Sequence, residues 1–103
     1  MWATKRSAWM FLCAFLLVIP LSVFAEPVDK GAMLSITCNG CHGTDGKSSG
    51  AIPSIAGKSA DYIAKAMQDF KQEKRPSTVM NRHAKGYSDA EIKLIADYFA
   101  SKK

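Results

Sequence analysis

Two thiols, with an imidazole directly after the second, stand in the stretch Cys38-Asn39-Gly40-Cys41-His42. Side chains three apart on a helix share a face, and this spacing is that of a c-type haem attachment site, where both sulfurs form thioethers to one porphyrin. His42 would place a ring nitrogen on the iron from the same side. The stretch occurs once in the chain, which implies a single haem.

Two other chemistries use the same residue types. A redox dithiol needs a β-α-β surround, and no segment here alternates apolar and polar residues. Zinc needs four donors, which Cys38, Cys41, His42 and His83 could supply in number. Adjacent side chains such as Cys41 and His42 leave a helix end in different directions, however, and would strain one tetrahedral ion. Haem is therefore the reading taken forward.

The far side of the ring needs its own ligand, and a Met, a His or an open position there each gives a different chemistry. Beyond the first 25 residues the methionines are Met33, Met67 and Met80. Met67 falls on an apolar helical stripe with Ile63 and Phe70, where a core role is the default. Met33 lies in the motif's own helix. Met80, in Pro76-Ser-Thr-Val-Met80-Asn81, is expected in a loop far enough beyond His42 to pass around the ring, and is taken as the second iron ligand. His83 is the rival donor, but its neighbours Arg82, Lys85 and Gly86 suggest a solvent-exposed imidazole. A ligating histidine needs an acceptor for its other ring nitrogen, and the Pro53 carbonyl is the candidate. Ile55, and Ile52 beside it, would either pack on the porphyrin or close the core.

Positioning begins with a segment to set aside. Lys5 and Arg6 precede an almost wholly apolar run from Ala8 to Val23, and Val23-Phe24-Ala25 ends in a small residue, as an export signal does. Residues 1–25, with Cys13, are expected to be removed; Pro20 argues against the rival reading of a retained membrane anchor. The product, residues 26–103, would be periplasmic, with no stable anchor after cleavage. So short a domain buries little surface, and a cofactor would supply the missing core. Only Cys38 and Cys41 remain in it, so no cysteine pair is left over for a structural disulfide.

Charge narrows the partners. The whole chain holds 14 Lys and Arg against 9 Asp and Glu, and Lys5 and Arg6 go with the leader. The excess that remains is mild and interleaved with acids, which does not suggest a nucleic-acid partner.

Three main helices and two long loops are expected, an all-α fold. Asp29 caps a first helix with Ala32, Met33 and Ile36 at helical spacing, running into Cys38. Residues 43–57, rich in Gly and Ser and containing Pro53, read as a loop. Ser59 opens a second helix with Tyr62, Ile63, Ala66, Met67 and Phe70 on one stripe, ended by Arg75-Pro76. A second loop is expected from Pro76 to Tyr87. The capping box Ser88-Asp-Ala-Glu91 starts a last helix whose inner stripe is Ile92, Ile95, Ala96 and Phe99.

Taken together, the motif after a first helix, Pro53 in Ile-Pro-Ser-Ile-Ala-Gly, a downstream methionine and a last helix with Tyr98-Phe99 resemble a class I cytochrome c. Ala60-Asp-Tyr62, the run Phe70 to Met80 and Lys85-Gly-Tyr-Ser-Asp-Ala-Glu91 are similar to the haem subunit of flavocytochrome c sulfide dehydrogenase, departing from it at Asn81-Arg82-His83. The resemblance implies one covalent haem c bound by Cys38 and Cys41, with His42 and Met80 on the iron and Pro53 orienting His42. It also implies a non-catalytic electron carrier, partnered in a heterodimer with a flavoprotein that oxidises sulfide and serving a downstream acceptor. The alternatives are a free carrier feeding a terminal oxidase or another redox enzyme, and a gas- or peroxide-binding haem protein.

Overall fold

The computed structural model describes residue 22 and residues 24–103, so the expected export segment, with Cys13, lies almost wholly outside the described residues. Asp29 opens the first helix, α1 (Lys30–His42). Its carboxylate accepts from the amides of Gly31 and Ala32 at 2.9 and 3.3 Å, two donors that a helix start leaves without internal partners. Gly43 stops α1 with φ at +84°, where any Cβ would collide with the Lys47 carbonyl. A 3₁₀ turn, Thr44–Gly46, follows.

Ser59 caps α2 (Ala60–Lys71), its hydroxyl accepting from the Tyr62 amide at 3.2 Å. A short helix, α3 (Met80–Lys85), precedes α4 (Asp89–Ala100). Both halves of the Ser88–Glu91 capping box are made, at 3.2 and 2.9 Å. Among the described residues there is no strand.

The helix α4 packs against both α1 and α2, and α3 lies on α2. Ile92, Ile95, Ala96 and Phe99 of α4 are all buried, joined by Ile63 and Met67 of α2 and Ala84 of α3. Burying a large apolar side chain is worth roughly 1.5–3 kcal/mol, so these few residues dominate the protein's own core. Leu34, Cys38, Ile55 and Met80 pack around them.

Two expectations are corrected. Met33 and Ile36 do not face the core; they are 58% and 63% exposed, and α1 turns Gly31 and Ser35 inward instead. The reason is closeness of approach: a Cβ on Gly31 would lie 2.8 Å from the Leu94 carbonyl oxygen of α4. Ser35 fits the same contact by donating its hydroxyl to the Gly31 carbonyl at 2.7 Å, so no buried polar group is left unpaired there.

The second correction concerns the expected loop from Pro76 to Tyr87, most of whose second half is α3, with Met80 as its first residue. Ala84 anchors it in the core, and the Ser77 hydroxyl, ahead of the helix, accepts from the Asn81 amide of its first turn at 3.0 Å. Six residues are too few for an apolar period to show.

The α1–α4 contact is testable. Gly31→Ala forces backbone against backbone, and overpacking of this kind costs about 1–3 kcal/mol. Thermal unfolding followed by circular dichroism should show the midpoint lowered by about 4–8 °C for each kcal/mol lost, whereas Met33→Ala, on the outer face, should leave it nearly unchanged.

Candidate haem site

The motif occupies the last turn of α1, which sets Cys38 half-buried and Cys41 exposed on the rim of a cleft of about 520 Å³. That is within the roughly 300–1,000 Å³ usual for cofactor and ligand sites. Both cysteines are free thiols. Burial pushes the Cys38 thiol up from its ordinary value, against a smaller opposing effect of the Thr37 hydroxyl.

His42, the last residue of α1, sets its Nδ1 2.6 Å from the Pro53 carbonyl oxygen. A carbonyl only accepts, so this contact requires the proton on Nδ1 and leaves the Nε2 lone pair for another partner. Pro53 is brought there by the turn after α1. Gly46, with φ at +76°, offers its carbonyl to the amides of Ile55 and Ala56 at 2.8 and 3.1 Å. A Cβ on Gly46 would meet Ile55 and Phe99 at 2.8 Å, so glycine alone lets this strand of chain lie against α4. Ile55 is half-buried and packs on the core as well as lining the cleft, while Ile52 is 42% exposed at its edge.

Met80, at the start of α3, is half-buried and lines the same cleft as His42. Sequence reasoning missed what holds it. Glu73, beyond α2, takes the Lys85 ammonium at 3.1 Å and the Asn81 amide at 3.3 Å. The Lys85 contact first, then Asn81, holds the Glu73 carboxyl below its ordinary value. Glu73 has φ at +59°, an unusual conformation for a residue with a side chain, and no pattern in the sequence announces it. Met67 is buried in the core with its side chain on the cleft wall, Met33 lies outside the cleft lining, and His83 is exposed at the cleft's edge.

The turn after the motif is also tied to α4 by charge. Tyr98 donates its hydroxyl to Asp45 at 2.8 Å, and Lys102 lies 3.7 Å from the same carboxylate and 4.3 Å over the Tyr98 ring. The Tyr98 hydrogen bond holds the Asp45 carboxyl below its ordinary value, and Asp45 in turn pushes the Tyr98 phenol up.

Those residues fit a haem. The cleft wall is largely apolar, two thiols a turn apart stand at its rim, and an imidazole with a free Nε2 and a thioether both face into it. Among the described residues no three His, Cys, Asp or Glu side chains converge as they would around a metal ion, so the zinc grouping of Cys38, Cys41, His42 and His83 is not formed.

Residues 28–103 match the family model for cytochrome c. The chain belongs to the cytochrome c family. It is 61% identical, over 72 residues, to the cytochrome subunit of sulfide dehydrogenase of Chlorobaculum tepidum, a match covering 70% of this chain and 66% of that one. It is 35% identical to cytochrome c-553 of Nitratidesulfovibrio vulgaris, covering 88% of this chain and 91% of that one. With cytochrome c4 of Pseudomonas aeruginosa it shares 34% identity over 89% of its length, but spans about half of that relative, 48%. A solved cytochrome c4 from Acidithiobacillus ferrooxidans superposes with a TM-score of 0.64 at 28% identity, over 78% of this chain and 53% of that one.

The Tyr98–Asp45 bond predicts a pH signature. A carboxyl with a lowered folded pKa stabilises above its unfolded value of about 3.9, and the effect is lost as pH falls through the folded value. A phenol raised in the fold stabilises below about 10, and that effect is lost as pH rises through the raised value. The stability difference between the unmodified chain and Tyr98→Phe, from urea unfolding, should therefore be flat near neutrality and shrink at both acid and alkaline ends.

Proposed function

We propose that this cytochrome c is a periplasmic monohaem electron carrier, exported by residues 1–25 and functioning as residues 26–103. Cys38 and Cys41 would hold the haem through thioethers, and His42 and Met80 would be the side chains that bind its iron. The observation that carries this reading is the 2.6 Å contact between His42 Nδ1 and the Pro53 carbonyl, in the same cleft that Met80 lines. When bound, the haem supplies a one-electron iron couple whose potential a thioether ligand raises.

The chain's own residues do the positioning. Pro53 fixes the tautomer and orientation of His42. Glu73, Asn81 and Lys85 fix α3, so that Met80 is presented from a tethered helix and not from a free loop. Ile55 and the α2 stripe exclude water from the cleft. With His42 and Met80 both given to the iron, the site would favour outer-sphere electron transfer over binding of small molecules.

The 61% identity to a sulfide dehydrogenase subunit supports a partner: a flavoprotein that oxidises sulfide and passes electrons singly to this chain, in a heterodimer. A downstream acceptor then takes them on. In this reading the chain makes and breaks no substrate bonds.

Met80→Ala in the holoprotein should abolish the weak sulfur-to-iron absorption band of the oxidised state and open the iron to carbon monoxide. It should also lower the potential by on the order of 100 mV, against the roughly 0.8 V that axial ligation spans. Met67→Ala should keep the band. Loss of the band in Met67→Ala alone would move the ligand to Met67. Affinity purification of the exported chain from its native cells should bring down a flavin-containing subunit with sulfide-dependent haem reduction; a monomer inert with such flavoproteins would assign it as a free carrier.

A further inference from the structure

Thr37 and Tyr87 stand 50 residues apart in the chain, yet their hydroxyls lie 2.9 Å from each other, one donating to the other, and both side chains line the cleft. Thr37 directly precedes Cys38 in α1, and Tyr87 belongs to the link between α3 and α4. The main packing seats α1 on α4 and α3 on α2, so the helix that ends in His42 and the helix that starts at Met80 rest on different neighbours. Among the described residues, Thr37–Tyr87 is the hydrogen bond that joins α1 directly to the chain leaving α3.

Tyr87 reaches this bond from a backbone that is itself held. Its amide donates to the Ala84 carbonyl at 3.3 Å, and Ala84 is wholly buried. Its carbonyl takes the Lys71 ammonium of α2 at 2.7 Å. Lys71 also lies 3.3 Å from Asp89 in the first turn of α4, and that carboxylate accepts from the Gln68 side-chain amide at 2.9 Å. The Tyr87 ring packs half-buried against the core. Phenylalanine would serve for packing alone; the hydroxyl of Tyr87 finds its partner on the helix that bears the thiols.

Met80 opens α3, and Glu73 ties that helix through Asn81 and Lys85. The Thr37–Tyr87 bond ties the chain just beyond its other end. For Met80 to swing out of the cleft, α3 has to give at one of these ties. We propose that the Thr37–Tyr87 hydroxyl pair is a latch across the mouth of the cleft, which keeps the Met80 helix in register with the His42 helix and keeps small external bases such as imidazole off the Met80 side. This rests on the haem reading above. Thr37 and Tyr87 are positioning residues: neither offers an atom to the iron, and Tyr87 acts on Met80 through the short helix α3.

The test uses imidazole as the probe on the oxidised holoprotein at fixed neutral pH. Displacement of the Met80 thioether removes the weak sulfur-to-iron absorption band, and at saturating imidazole the rate of that loss reports how often the thioether is let go. Tyr87→Phe and Thr37→Val should each raise the rate about fivefold, the order expected for loss of one neutral hydrogen bond. The double variant should go no further than either single one, because both remove the same bond. Thr37→Ser, which keeps the hydroxyl, should keep the original rate. An unchanged rate in both single variants, or effects that multiply in the double variant, would overturn the proposal while leaving the haem assignment intact. Should Tyr87→Phe fail to take up haem, Thr37→Val against Thr37→Ser decides the matter in the same way. Absence of the sulfur-to-iron band from the unmodified holoprotein would instead overturn the role given to Met80 in the function proposed above.

Discussion

A proline carbonyl has no way to donate, and the shortest of the site's hydrogen bonds is made to one. The contact between His42 Nδ1 and Pro53 therefore decides which ring nitrogen carries the proton, and the rest of the molecule can be followed outward from it. For Pro53 to arrive there, the chain must reverse immediately after α1, which Gly43 and Gly46 allow by adopting positive φ. The reversal must then be held, and Gly46 does so with two backbone bonds and a close approach to Phe99. Local backbone geometry, tertiary packing and the chemistry of one imidazole are thus a single arrangement.

The helix α4 is the shared wall of that arrangement. One side receives α1 at a distance that only glycine and serine permit; the other receives α2 through Ile63 and Met67. Its C-terminal part reaches the turn after the motif through Tyr98 and Asp45. The two sides differ in kind, since the α2 contact is apolar and bulky while the α1 contact is small and carries a buried hydroxyl bonded within its own helix.

That difference explains what could be read from residue order. The helices α2 and α4 have bulky apolar stripes and side-chain caps, so Ser59, Ser88 and the positions from Ile63 to Met67 and Ile92 to Phe99 were legible from spacing. In α1 the rule inverts: Met33 and Ile36 are apolar yet face out, and the inward positions are those with almost no side chain, because the neighbouring backbone comes too close. Hydrophobicity is then a poor guide, and only the partner helix identifies the inner face. The attachment motif and the His42–Pro53 pairing were visible as residue types. The placement of Met80 was not, since it rests on Glu73 in a left-handed conformation and on a helix too short to have a period.

The backbone bond from the Gly57 amide to the Phe99 carbonyl, at 3.0 Å, and the packing of Phe99 on Gly46 join chain segments far apart in order. Contacts of that kind form late, because a long loop must close before they are rewarded. The segment that holds the two thiols is a local helix of α1, complete in sequence well before α4 exists. The walls around the thiols therefore depend on contacts with the last helix, whereas the helix that carries them depends on its own local bonds. The wall that α4 completes is thus built apart from the helix that carries the thiols, and in the finished fold Cys38 is half-buried against that wall while Cys41 stays exposed at the rim.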